Sequence, residues 1–165
     1  MVSPAAETTG PFTDSLSTIL LRVTSVLWVI WGLVHVLAGV VTIGRDTPDA
    51  VAGIADAVDP QTLQMVYPDA AGAVINQHGF NLAWIGAVTT ICAVFVWRRA
   101  QPAIYLAALV AGLADIGYFL FMDLGGHVHF LPGTLMTLIC AAAIAMSGFV
   151  VWREHRADHV RHATV

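Results

Sequence analysis

Four long apolar runs are separated by short polar breaks, and one of those breaks is expanded into a hydrophilic connection. The chain opens with a polar, Pro-containing, aperiodic stretch from Met1 to Asp14, read as an N-terminal tail over 1–15. It lacks the positive start of a signal peptide, so no cleavage is expected. The first apolar run covers about 16–43. A membrane-crossing helix needs about 20 residues, so this run is long enough to tilt or protrude. Its one charge, Arg22, stands near its start, where a long side chain reaches the interface. Trp28 and Trp31 fall mid-run, too deep for an interfacial belt, and are expected to pack against other helices. Gly32 and Gly39 flank His35 and permit close helix approach.

The connection over 44–77 carries Asp46, Asp49, Asp56, Asp59 and Asp69 against Arg45, and Pro48, Pro60 and Pro68 divide it. A structureless loop of that length is unusual in a compact protein. Two short helices are expected there instead, one from Thr47-Pro48 through AVAGIADAV and one in DAAGAVINQ, forming a small cap on the membrane face. The remaining apolar runs cover about 79–97, ending at Arg98-Arg99, about 103–122, after Gln101-Pro102, and about 132–152, ending at Arg153. A charged tail, 153–165, closes the chain, and a frayed continuation of the last helix is one reading of it. The fold class that follows is all-α: a four-helix transmembrane bundle over 16–152 with a helical extracytoplasmic cap between its first two spans.

Composition supports that class. Of 165 residues, 58% are hydrophobic and 11% charged, where a soluble domain carries about 25% charge. The bilayer is therefore the expected solvent and partner, and the cell membrane the expected location. There is no Lys, and no basic, aromatic-rich run suggests nucleic-acid binding. With four spans, Arg22, Arg98, Arg99, Arg153, Arg156 and Arg161 fall on one side and Arg45 on the other. The positive-inside rule then places both termini in the cytoplasm and the cap outside. Cys92 and Cys140 lie within apolar runs with no CxxC, and read as small buried hydrophobes.

Candidate chemistry concentrates in the stretch from Asp115 to Pro132, DIGYFLFMDLGGHVHFLP. It holds Asp115, Asp123, Tyr118, His127 and His129, with Gly125-Gly126 as a turn and Pro132 suited to the first turn of the next helix. His35 lies about 12 Å and Asp115 about 10 Å below the outer ends of their helices at 1.5 Å per residue. His78 and Asn81 stand at the outer end of the second span. Each helix thus brings polar groups toward one outward-opening site. A central Asp costs about 2.5–3.5 kcal/mol on insertion scales and normally finds a partner within the protein. His35 is the best-matched partner, and an Asp–imidazole bond would leave the other ring nitrogen for a proton, metal or substrate. His35 and Asp115 are therefore the candidate catalytic residues. The plainer reading is a buried pair that only ties two helices together, with the other histidines solvated.

His127 and His129 form an H-x-H pair, and with His35, His78 and Asp115 they supply enough ligands for zinc, copper or iron. No HExxH or ExxH accompanies them, and haem ranks below a non-haem metal because only His35 lies deep in the membrane. His155, His159 and His162 share a face if the tail is helical, and read as a solvated tail.

The first span, LLRVTSVLWVIWGLVHVLAGVV, with its leading Arg and a Gly on each side of the histidine, resembles the opening helix of the small four-helix DoxX-like membrane proteins. The length and four-span plan fit as well. The resemblance implies a four-helix membrane bundle and an association with quinone-linked redox chemistry. Three functional classes follow from the sequence: a metal-dependent or quinone-linked membrane oxidoreductase acting on a lipophilic molecule, a proton or metal binding or transport protein, and a non-catalytic accessory subunit.

Overall fold

A computed structural model describes residues 15–163. Among the described residues there are helices and turns and no strand. Helix α1 is Ser15–Ile43, α2 Thr47–Ile54, α3 Pro60–Leu63, α4 Asp69–Trp97, α5 Gln101–Tyr118 and α6 Leu135–Ala163. Four segments are long and apolar enough to cross a membrane: Ser15–Ile43, Asp69–Trp97, Gln101–Asp123 and Phe130–Ala157.

Helices α2 and α4 differ in extent from the sequence expectation, and α2 stops at Ile54 rather than running to Val58. The segment DAAGAVINQ does not form a separate short helix, because α4 starts at Asp69 and runs through it into the second span. No Pro interrupts residues 69–97, and polar side chains at Asn76, Gln77 and His78 leave the backbone ladder intact. Helix α6 continues past Trp152 as one helix to Ala163, the continuation that the sequence suggested. The short helices of the connection are α2 and α3, each started by an aspartate. Asp46 accepts from the Asp49 amide and Asp59 from the Gln61 amide, and a proline occupies the first turn of each.

Helix α1 packs against α4 and α6, and α5 packs against the same two helices. The tightest seam joins α1 and α4, which run antiparallel. Gly32 meets Gly86 and Gly39 meets Gly79, each backbone lying where the other's Cβ would be. One heptad further along, Ser25 donates its hydroxyl to the Ala93 carbonyl over 2.6 Å. Small residues at 25, 32 and 39 thus face small residues at 93, 86 and 79. Spacing by seven keeps a contact on one stripe of each helix, and removing side-chain bulk allows close backbone approach.

Burial is inverted relative to a soluble protein. The core is Ala93, Ala107, Ala111, Ala143 and a few larger residues around Trp28 and Trp31, while Ile19, Leu33, Leu37, Leu109, Leu113 and Phe121 face outward. Lipid solvates those outward chains, so packing of small residues, rather than water exclusion, selects the interior. Two buried hydroxyls bond back to their own helix, Thr89 to the Ile85 carbonyl and Ser147 to the Ala143 carbonyl.

At the opposite end from the Arg98-Arg99 turn, α5 widens into a π-helical turn, Phe119–Asp123, in which the Leu124 amide donates to Phe119. Gly126 then takes φ +70°, a conformation that favours glycine, and reverses the chain. A second widened turn, Phe130–Thr134, leads into α6. Asp123 clamps this corner, accepting from the Thr134 hydroxyl at 2.6 Å and the Thr137 hydroxyl at 3.1 Å.

Candidate functional site

Asp115 is buried, with 6% of its surface exposed. Its partner is not His35. The Trp31 indole N–H donates to Asp115 Oδ2 over 3.3 Å, and the Cys140 thiol lies against the same carboxyl. His35 stands one helical turn beyond Trp31 and stacks on its indole, with ring centroids 3.6 Å apart and planes at 20°. His35 Nδ1 lies 2.8 Å from the Trp31 carbonyl, an acceptor, so the ring donates from that nitrogen. The direct Asp–imidazole bond expected from matched depths is replaced by a three-residue array in which Trp31 touches both groups. The physical reason is reach: α1 and α5 are separated by the helices that flank them, and the large indole spans that gap.

His35 and Asp115 nevertheless border one cavity of about 170 Å3, together with His78. The three residues come from α1, α5 and α4. The cavity wall continues through Tyr118, Asp56 and Arg45, and Ala50, Gly53 and Ile54 of the α2 region close over it. Tyr118 lies one turn after Asp115 on the same face of α5, a spacing legible in the sequence. Arg45 packs on Gly53, where a Cβ would stand 2.8 Å from the guanidinium. Neither Arg45 nor Asp56 is singled out by sequence pattern, since both look like ordinary charges of a hydrophilic connection.

His127 and His129 do not line this cavity. Both are exposed, and they act through their backbones. The Ala57 amide donates to the His127 carbonyl at 3.1 Å, and the His129 amide donates to Asp56 Oδ1 at 2.7 Å. The turn between α5 and α6 is thereby fastened to the segment after α2, and Asp56 serves both the tether and the cavity wall. Asn81 also stands apart, accepting from the Trp84 indole at 3.1 Å.

The five-residue metal set His35, His78, His127, His129 and Asp115 is not assembled. Among the described residues, no three His, Cys, Asp or Glu side chains are grouped to hold a metal ion. The H-x-H pair is exposed on the turn, and the Trp31 indole N–H, rather than an imidazole, meets the Asp115 carboxyl.

Comparison with protein-family models, with curated proteins and with solved structures gave no match for this chain. Four helices long and apolar enough to span the bilayer make it an integral membrane protein by length and composition.

Proposed function

We propose that this protein binds the polar ring of a lipophilic quinone or quinol in the cavity bordered by His35, His78 and Asp115, and serves a quinone-linked membrane oxidoreductase reaction. The observation that carries this reading is that three membrane helices each contribute an ionisable side chain to one ring-sized space. A cavity of roughly 150 Å3 holds a benzene ring, and this one measures about 170 Å3. With Nδ1 of His35 committed to the Trp31 carbonyl, Nε2 is the remaining polar atom of the imidazole. It accepts from a quinol hydroxyl when the ring is neutral and donates to a quinone carbonyl when it is protonated. Trp31 holds the imidazole plane by stacking and holds the Asp115 carboxylate by its N–H, so both groups are oriented before a ligand arrives.

The DoxX-like character of the first helix agrees with this assignment. The arginine asymmetry supports a cavity opening to the extracytoplasmic side, under a cap formed by α2 and α3. In this role the chain's residues bind and orient the ring, shield it from lipid and water, and exchange a proton at His35 Nε2.

The test is saturable binding of a tailless benzoquinone to protein in nanodiscs, followed by tryptophan fluorescence. Quenching that saturates in the wild type and weakens in His35→Ala is expected. Loss of one hydrogen bond worth about 0.5–1.5 kcal/mol weakens binding by about two- to tenfold. Quenching that never saturates, or that is identical in His35→Ala, overturns the reading.

A further inference from the structure

Asp115 borders a second space. An apolar groove runs between α5 and α6 from Ala108 to Phe119 on one wall and from Thr137 to Ile144 on the other, with Asp115 and Cys140 among its lining. Eleven residue steps along α5 make the groove on the order of 16 Å long. Its rims, Leu109, Leu113, Ile116 and Leu138, are outward-facing, so it opens sideways toward lipid. Apart from Thr137 and Cys140 its other lining residues are apolar, and Asp115 supplies its one carboxyl. The same carboxyl borders the His35–His78 cavity, so the ring-sized space and the sideways groove share this residue as a common wall.

We propose that the groove between α5 and α6 holds the apolar tail of the molecule whose ring occupies the His35–His78–Asp115 cavity, with Asp115 at the junction of head and tail. The inference rests on the head-group reading above. Its own support is adjacency and polarity, since Asp115 lines both spaces. A bilayer acyl chain needs only an apolar surface, whereas here an apolar groove adjoins, at a buried carboxyl, a ring-sized cavity that also holds His35 and His78. A molecule with a polar ring and an apolar tail matches both spaces at once.

The experiment compares two probes, a tailless benzoquinone and its decyl-tailed form, on full-length protein in nanodiscs. Ala141→Phe and Leu138→Trp fill the groove from outward-facing positions. Ala142→Phe adds the same bulk at a neighbouring outward-facing position outside the groove and serves as the control. The groove-filling variants are expected to weaken the tailed probe by about tenfold and to leave the tailless ring unchanged, while Ala142→Phe changes neither. Wild-type affinity for the tailed probe in both groove variants overturns the groove. If the tailless ring still binds in a His35-dependent way in that case, the head-group reading survives. Conversely, tailed-probe binding that Ala141→Phe removes but His35→Ala leaves untouched keeps the groove and sinks the head-group reading, and with it the shared-ligand proposal.

Discussion

The indole nitrogen of Trp31 lies 3.3 Å from a carboxyl oxygen of Asp115, and that single bond links α1 to α5 across the helices that flank them both. The same indole stacks on His35, so one aromatic side chain sets the position of two ionisable groups. Removing the donor leaves a buried acceptor without a protein N–H. Trp31→Phe is therefore expected to lower stability by about 1–3 kcal/mol. Asp115→Leu is expected to be tolerated for insertion, because it removes a polar group from the bilayer. The double variant is expected to lose less than the sum of the two, with a coupling of about 0.5–3 kcal/mol. Unfolding midpoints in mixed micelles measure all three, and strict additivity would show that the bond contributes nothing.

The glycine seam gives a second expectation. A Cβ at Gly86 would stand 2.8 Å from the Val36 amide nitrogen and 3.0 Å from the His35 Cβ. Gly86→Ala is expected to cost about 1–3 kcal/mol by overpacking, and to push α1 away from α4. Gly148 on α6 has nothing within 4 Å of the same position. Gly148→Ala is expected to be neutral or to stabilise by about 0.5–1 kcal/mol, the ordinary helix preference for Ala over Gly. Equal effects at the two positions in a thermal melt would refute the seam.

Asp56 joins the segment after α2 to the turn between α5 and α6. Asp56→Ala removes the acceptor of the His129 amide and leaves the bond from the Ala57 amide to the His127 carbonyl. Hydrogen exchange at residues 127–129 is expected to speed up, with little change in the middle of α4. The size of the effect at the His129 amide should reflect one hydrogen bond, about 0.5–1.5 kcal/mol or some two- to tenfold in rate. An unchanged His129 amide would show that Asp56 does not secure this turn.

Topology supplies a further test. A reporter fused after Val165 is expected to read cytoplasmic, and one inserted near Asp56 extracytoplasmic, because Arg22, Arg98, Arg99, Arg153, Arg156 and Arg161 share one side against Arg45. Reversed reporters would turn the His35 cavity toward the cytoplasm.

Much of this protein is written in the hydrophobic pattern. Apolar runs of spanning length determined four helices, because a chain in lipid must satisfy its backbone internally and has few alternatives. The depth of His35 and Asp115 followed from a fixed rise per residue, and Gly32 and Gly39 marked a close approach before any partner was known. The reach of α4 back to Asp69 was less legible, because a helix passes from a polar face to an apolar run with no change in backbone bonding. What only the tertiary structure decided is which groups meet. Equal depth said that His35 and Asp115 could be neighbours, but depth carries no angular information about how the helices are arranged around one another. That arrangement put Trp31 in contact with both. It turned the side chains of His127 and His129 to the surface while their backbones held the connection, and it brought Tyr118, Arg45 and Asp56 to the cavity wall. Helix formation depends on neighbours along the chain, so sequence determined it. The site depends on the rotation and packing of helices far apart in sequence, which no local pattern records.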